Sequence, residues 1–187
     1  DNWLGITRGT RMYRLRAREV VIATGSIEQP IVFRNNDLPG IMQGSAAQRL
    51  IRQFGVRPGT RAVVATANSD GYGVALDLRD AGVDVAAIVD LREAVPDCAL
   101  VAATRDAGLR VMAGHTLWEG RPGPDKHHVG GAVIAKITGR GECGSARTII
   151  DCDLICMAPG YAPAAHLACH AGAKLVYDPA SHMLKVT

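Results

Sequence analysis

Apolar and polar positions alternate along the first part of the chain in a way that predicts strands and helices in turn. Two short apolar runs that end at polar residues predict buried strands, at 61–65 and 83–90. Three stretches with apolar residues at helical spacing predict helices, beginning at Ile41, Val74 and Asp97. Strands and helices that alternate over these lengths predict a parallel sheet with right-handed crossovers.

The flanking regions have the pattern of antiparallel and connecting structure. A third strand of the alternation is predicted at 108–116. Antiparallel strands are predicted at 132–139 and 147–158, with a loop at 119–131, and Cys152 and Cys156 share one face of the last strand. At the ends of the chain we expect a hairpin over 2–17, a buried strand over 19–24, a connection over 28–40, a short helix over 162–172 and a second hairpin around Asp178 and Pro179. The strand at 19–24 has no parallel neighbour, so its open edges predict either disorder or pairing with a second copy of the chain.

Composition narrows the classes of partner. Hydrophobic residues make up 48% and charged residues 21% of the chain, as in globular proteins. Aromatic residues at 4% and a net charge of +3 argue against nucleic acid. No apolar run approaches the roughly 20 residues of a membrane helix. Five cysteines without a CxxC pair predict reduced thiols, so we expect a cytoplasmic protein. From the composition and the short apolar runs we expect neither a membrane nor nucleic acid as partner.

The turn after the strand at 61–65 lies where a dinucleotide-binding unit holds the pyrophosphate. The sequence there, TANSDG, has Thr66, Asn68 and Gly71 at the three positions of the glycine pattern GxGxxG. Gly71 retains the close approach of helix and strand, whereas Asn68 adds bulk and Asp70 adds negative charge beside the phosphates. The helix N-terminus still offers N–H groups. The turn alone therefore leaves two readings open, a nucleotide site and a nucleotide-free Rossmann-like domain.

Several segments together resemble a family of two-dinucleotide flavoproteins. The passages ATGSIEQPIVFRNNDLPGIM, RPGTRAVVATANSDGYG and DLICMAPGYAPAAHLACHAG are similar to the α subunits of heterotetrameric sarcosine oxidases and related opine-type oxidoreductases. The resemblance implies an α/β fold: a Rossmann-like three-layer NAD-binding domain, with a parallel sheet plus an antiparallel β-meander, flanked by partial FAD-domain strands. It places a partial FAD-domain segment at 1–40, the NAD-binding domain at 41–155 and a return segment at 156–187.

The same resemblance implies the cofactors, the partners and the site. NAD binds to this domain, FAD binds elsewhere in the full-length protein, and other oxidase subunits are the partners. The implied phosphate turn comprises Thr66, Asn68, Ser69, Asp70, Gly71 and Tyr72. The implied adenosine-ribose group comprises Asp90, Leu91 and Arg92, and the implied return edge comprises Ala158, Pro159 and Gly160. Two further residues, Thr24 and Gly25, belong to the FAD site.

The ribose group carries conflicting signals about the dinucleotide. Asp90 ends the strand near the offset, roughly 20 residues, at which an acid reaches the ribose hydroxyls. Arg92 beside it could hold a 2′-phosphate, but an acid at the strand end repels that group, so we favour NAD over NADP.

No other motif predicts chemistry. His166, Cys169 and His170 can share a helical face, but a zinc site needs another ligand, and none is evident nearby. We therefore expect neither a metal site nor a catalytic residue. The function predicted is a non-catalytic NAD-binding module of an oxidase that demethylates sarcosine or a related secondary amine. The alternative is a nucleotide-free domain that packs between subunits of an opine- or proline-type dehydrogenase complex.

Overall fold

The computed structural model describes residues 2–179 and 183–187. In chain order the elements are β1 (Trp3–Arg8), β2 (Arg11–Arg16), β3 (Ser26–Glu28), β4 (Ile41–Gln43), α1 (Gly44–Phe54), β5 (Arg61–Thr66), α2 (Asp70–Asp80), β6 (Asp84–Asp90), α3 (Ala99–Asp106), β7 (Val111–Ala113), β8 (His115–Pro122), β9 (Val129–Gly139), β10 (Glu142–Asp151), β11 (Leu154–Ala158), β12 (Tyr161–Pro163), α4 (His166–His170), β13 (Leu175–Asp178) and β14 (Met183–Val186).

The larger of two compact units spans Glu28–Tyr161 and contains the parallel sheet. Its five strands run in the order β4-β11-β5-β6-β7, and every neighbouring pair is parallel. Strands β8, β9 and β10 form a separate antiparallel sheet. The predicted α/β fold, with a parallel sheet plus antiparallel strands, is confirmed. The predicted domain limits at 41 and 155 lie inside this unit.

Two apolar cores make the larger unit a three-layer structure. Because side chains of a strand alternate between faces, β5 sends Val63 and Ala65 into one core and Ala62 and Val64 into the other. The first core packs against the antiparallel strands through residues such as Ile134. The second packs against the helices and contains Tyr72, Ala75 and Leu78 of α2. The parallel sheet therefore lies between a layer of helices and a layer of antiparallel strands.

The smaller unit joins residues 1–27 to residues 162–187. The strands β1 and β2 form its first hairpin, β13 and β14 its second, and α4 is its short helix. Both predicted terminal hairpins are confirmed, and residues 180–182 of the second lie outside the described residues. Among the described residues no helix is long and apolar enough to cross a membrane.

Three strand predictions are wrong. The predicted strand 108–116 contains β7 and the start of β8, which belong to different sheets. Residues 19–24 form no strand, because a lone apolar segment without a partner has nothing to complete its hydrogen-bond ladder. The predicted strand 147–158 is two strands, β10 and β11, in different sheets. Between them the carboxylate of Asp153 accepts hydrogen bonds from the N–H groups of Thr60 and Arg61, at 3.0 and 2.8 Å. This bend puts Cys152 and Cys156 in opposite cores rather than on one face.

Two element boundaries also differ from the prediction. Most of the expected loop 119–131 is strand, since β8 continues to Pro122 and β9 starts at Val129. Cross-strand pairing overrides the turn residues in this segment. The helix α2 begins at Asp70, four residues before Val74, which brings the whole of its first turn to the end of β5.

Candidate functional site: the turn between β5 and α2

The carboxyl ends of three parallel strands meet at one edge of the sheet. Register pairs Thr66 of β5 with Asp90 of β6 on one side and with Ala158 of β11 on the other. In open α/β sheets, ligands bind outside the carboxyl ends of the strands. The turn from β5 into α2 lies at this edge.

The Thr66 side chain organises the turn from inside. It is fully buried, and its hydroxyl donates to the carbonyl of Ala158 at 2.8 Å. The same oxygen accepts a hydrogen bond from the Asn68 N–H at 3.2 Å. Thr66 thereby links the turn to β11. These hydrogen bonds fix the turn without the positive φ that a glycine at the first position of the pattern would allow.

The bulk of Asn68 is directed back toward the helix. Its Oδ1 accepts a hydrogen bond from the N–H of Asp70 at 2.9 Å, so Asn68 caps α2. The Ser69 side chain, at the N-cap position itself, makes no capping hydrogen bond.

Gly71 has a steric reason to be glycine. A Cβ at Gly71 would lie 2.3 Å from Cβ and 2.4 Å from Oγ1 of Thr66, inside any normal contact distance. The missing side chain therefore lets the first turn of α2 pack on the end of β5, as the last glycine of a dinucleotide turn does.

Two backbone donors at the start of α2 remain free. The N–H groups of Asn68, Asp70 and Tyr72 are bonded within the turn, the last to the Ser69 carbonyl at 3.2 Å. Those of Ser69 and Gly71 have no acceptor among the residues the structure describes. They lie at the positive end of the helix dipole, where an anion is favoured.

Asp70 interacts with a residue that follows the return strand. Burial, together with the charge and hydrogen bonding of the Asp70 carboxylate, raises the pKa of Tyr161 to about 12. The two side chains therefore lie close together, with the Tyr161 hydroxyl protonated as the donor. The Asp70 carboxylate therefore has a partner in the Tyr161 hydroxyl.

The ribose group has a geometry that the sequence did not predict. The Asp90 side chain is fully buried and accepts from the Tyr72 hydroxyl at 2.7 Å and from Arg92 Nη2 at 2.7 Å. Burial and this hydrogen bond raise the pKa of Tyr72 above its usual value, and the bond to Asp90 raises the pKa of Arg92. Tyr72 is fully buried as well, because it belongs to the first turn of α2 and faces the core. Leu91 donates its N–H to the Thr66 carbonyl at 2.8 Å.

The return edge, residues 158–160, lies in the larger unit. The last two predicted site residues, Thr24 and Gly25, lie in the smaller unit. Ala158 contacts the turn through Thr66, and the Gly160 carbonyl, which follows Pro159, accepts from the Gln29 N–H at 2.9 Å. Within the smaller unit, the Thr24 hydroxyl donates to the Ala164 carbonyl at 2.6 Å, and the carbonyl of Gly25 accepts from the Ala164 N–H at 3.0 Å.

Sequence reasoning missed one cysteine at this site. Cys98 precedes α3, where hydrogen bonds from the Val101 N–H and from the Ser69 side chain lower its pKa. The sequence could predict that Cys98 lies at the start of a helix, but its approach to Ser69 depends on tertiary packing. No group of three potential metal ligands occurs within residues 2–179 and 183–187.

Glu28 is a second residue that the sequence did not indicate, and it stabilises the start of α1. Its carboxylate is 6% exposed and accepts the Ser45 N–H at 2.9 Å, at a helix start whose own N-cap residue, Gln43, makes no side-chain cap. A charged acceptor at that position is favoured by the helix dipole.

We expect Glu28→Gln to lower the free energy of unfolding by about 1–3 kcal/mol, because a hydrogen bond to a charged group becomes a neutral one in a buried place. Urea unfolding checks this, with Glu19→Gln at an exposed position as control. Equal stability of the two variants would show that Glu28 does not stabilise α1.

A cavity of about 630 Å³ lies beside the ribose group. It is lined by residues after β6, around β7 and on β9, including Leu91, Glu93, His115 and Lys136. This volume is within the range of small-molecule sites. A second cavity, of about 550 Å³, is lined by Phe33, Trp118 and other residues away from the turn.

The fold of this chain is of the Rossmann type and occurs in several solved oxidoreductases. Thioredoxin reductase from T. acidophilum superposes with a TM-score of 0.71 at 15% identity, over 92% of this chain and 53% of that one. L-proline dehydrogenase from P. horikoshii superposes with a TM-score of 0.67 at 18% identity, over 99% of this chain and 29% of that one. A NAD-dependent persulfide reductase from A. fulgidus superposes with a TM-score of 0.65 at 21% identity, over 94% of this chain and 32% of that one. At these identities the likeness concerns the fold alone.

The chain is homologous to part of the sarcosine oxidase α subunits. It is 35% identical over 178 residues to the α subunit of Corynebacterium sp. (strain P-1), covering 95% of this chain and 18% of that subunit. It is 35% identical over 170 residues to the α subunit of Rhizobium meliloti (strain 1021), covering 90% and 15%. The resemblance found in the sequence is confirmed. The chain therefore spans less than a fifth of the length of these relatives, and no protein-family model matches it.

Proposed function

We propose that this chain is the NAD-binding domain of a sarcosine-oxidase-like flavoprotein α subunit. The observation that carries the proposal is the turn at the end of β5. The N–H groups of Ser69 and Gly71 stay free there, since the Asn68 side chain occupies only the Asp70 N–H, and the Asp70 carboxylate interacts with Tyr161. The altered glycine pattern is thus compatible with a ligand.

The residues present fit a dinucleotide in three respects. The free N–H groups of Ser69 and Gly71 would donate to the pyrophosphate at the positive end of α2. Thr66 and Gly71 would keep the turn close to the sheet. The adenosine end would lie toward Arg92, Leu91 and the adjoining cavity. NAD would supply a hydride acceptor in general, but we propose that it is held here without turnover.

The chemistry of the whole protein would lie outside this chain. The name of the relatives suggests oxidation of sarcosine, and we propose oxidative demethylation of sarcosine or a related secondary amine, with FAD bound by the longer protein and other oxidase subunits as partners. Thr24 and Gly25 would belong to the FAD site. All five cysteines are free thiols, which supports a reducing, cytoplasmic setting. Pairing of two copies through residues 19–24 is not proposed, since they form no strand.

A nucleotide-free packing domain is the second candidate. The specific observation in its favour is that Asp90 is fully buried and bonded, so the acid that ordinarily marks a ribose site is not exposed. Asp70 also places negative charge near the path of the pyrophosphate. The two candidates differ in whether the free N–H groups bind an anion.

Calorimetric titration with NAD⁺ tests the proposal, using a pair of variants at Ser69. Ser69→Pro removes one of the free N–H groups at a φ of −81°, close to the range of proline, whereas Ser69→Ala keeps it. A lost hydrogen bond to a charged group predicts that Ser69→Pro weakens binding about tenfold to a hundredfold. Ser69→Ala should bind like the unaltered chain.

Thermal unfolding of both variants shows that each is folded. Absence of NAD⁺ binding to the unaltered chain would favour the packing domain. Equal binding to a folded Ser69→Pro variant would show that the Ser69 N–H does not hold the pyrophosphate and would contradict the proposed site.

A further inference from the structure

The carboxylate of Asp90 has no hydrogen-bonding capacity left for a ligand. Its Oδ1 accepts from the Arg92 N–H at 2.9 Å and from Arg92 Nε at 3.0 Å. Its Oδ2 accepts from the Tyr72 hydroxyl and from Arg92 Nη2, each at 2.7 Å. An ionised carboxyl has about four lone-pair sites, so four donors fill it.

Burial adds a second barrier between Asp90 and a ribose. The Asp90 side chain has no exposed surface, and Tyr72, which donates to it from α2, is equally buried. A ribose hydroxyl could reach this carboxylate only by displacing Tyr72 or Arg92, and either exchange would leave a buried polar group unpaired. Asp90 is therefore a positioning residue, although it stands where an acid usually binds the ribose.

Arg92 is the member of this group that reaches the surface. Its side chain is 26% exposed, and it is held by Asp90 through a two-point contact of the kind that fixes a guanidinium plane. Arginine has five N–H donors, and the contact uses one from Nε and one from Nη2. Three donors therefore remain, on a guanidinium whose orientation Asp90 fixes.

The charge at this position differs from that of an exposed acid. The buried negative charge of Asp90 is paired with the guanidinium 2.7 Å away, so the pair is close to neutral toward a ligand. The Asp90 carboxylate is therefore not available to repel a phosphate on the 2′-oxygen, and Glu93 lies on the lining of the adjoining cavity. The remaining N–H groups of Arg92 can donate either to a ribose hydroxyl or to a phosphate.

We propose that Arg92, positioned by Asp90 and Tyr72, is the residue that reads the adenosine ribose, and that the site accepts a 2′-phosphorylated dinucleotide as well as NAD. This rests on the proposed function and sharpens it. It also departs from the sequence argument, in which Asp90 repels the 2′-phosphate and selects NAD.

The ratio of the dissociation constants for NADP⁺ and NAD⁺ on the unaltered chain tests the inference. We expect the two constants to agree within about tenfold, since the Asp90 charge is paired with Arg92 and does not oppose the phosphate. Arg92→Leu should shift the ratio against NADP⁺ by about tenfold or more, because a phosphate loses charge-assisted hydrogen bonds and a hydroxyl loses weaker ones. Arg92→Lys keeps the charge without the fork, so it should give an intermediate ratio.

Arg79→Leu is the matched control. Arg79 also pairs with an aspartate, Asp80, at 2.7 Å, but on the exposed end of α2, so the ratio should not change. A general loss of stability affects both dinucleotides equally, which is why the ratio rather than either constant is measured.

The outcomes separate the two proposals. Binding of NAD⁺ at least a hundredfold tighter than NADP⁺ would overturn the inference and leave the proposed function standing. An unchanged ratio in Arg92→Leu, with NAD⁺ still bound, would do the same. Failure of both dinucleotides to bind the folded chain would overturn both.

Discussion

Replacing Asp90 by alanine should lower the free energy of unfolding by roughly 3–5 kcal/mol, the range for breaking a buried ion pair from one side. The variant loses the acceptor for the fully buried Tyr72 hydroxyl and leaves Arg92 without its partner in a largely buried place. Both remaining groups then lack the interactions that offset their removal from water. Urea unfolding followed by circular dichroism measures the change.

Asp80→Ala serves as the comparison, because it removes an aspartate of an exposed arginine pair. Asp80 accepts from Arg79 at 2.7 Å, but its side chain is 65% exposed. Exposed pairs are worth at most about 1 kcal/mol. If Asp90→Ala destabilised the protein no more than Asp80→Ala does, the buried group around Asp90 would not be the structural centre of the site.

Replacing Gly71 by alanine should destabilise the protein by roughly 3 kcal/mol, at the upper end of the usual cost of overpacking. The added methyl would meet Thr66 at 2.3 Å, and Thr66 cannot move away because its hydroxyl is bonded to the Ala158 carbonyl. The turn would have to open, and the N–H groups that we propose for the pyrophosphate would shift with it.

Gly73→Ala tests whether the effect is specific to that contact. Gly73 lies two residues along the same helix, and a Cβ there would meet nothing closer than Leu100 at 3.8 Å. Since alanine favours a helix over glycine, we expect a gain of up to about 1 kcal/mol. Similar losses in both variants would contradict a specific role for the approach to Thr66, because helix propensity favours alanine at both positions.

Local pattern was enough to predict the central part of the fold. The strands β5 and β6 and the helix between them have clear periodicity, and the parallel order follows from their alternation. The pattern misled where the chain crosses between sheets. The apolar run 147–158 looks continuous, and only the hydrogen bonds of Asp153 to Thr60 and Arg61 reveal the bend.

The site was predictable in location and less so in geometry. Gly71 and the end of β6 indicated a dinucleotide turn from spacing alone. The sequence could not show that Asp90 faces inward, because this depends on Tyr72 approaching from α2 and on Arg92 folding back over the strand end. Glu28 and Cys98 likewise take their roles from residues distant in the sequence, Ser45 and Ser69.

A crystal structure of this chain with NAD⁺ tests the central claim most directly. We predict the pyrophosphate within hydrogen-bonding distance of the N–H groups of Ser69 and Gly71. We also predict the adenosine ribose against Arg92, with Asp90 still bonded to Tyr72. A dinucleotide bound elsewhere on the chain, or a turn that stays empty at saturating NAD⁺, would contradict the account.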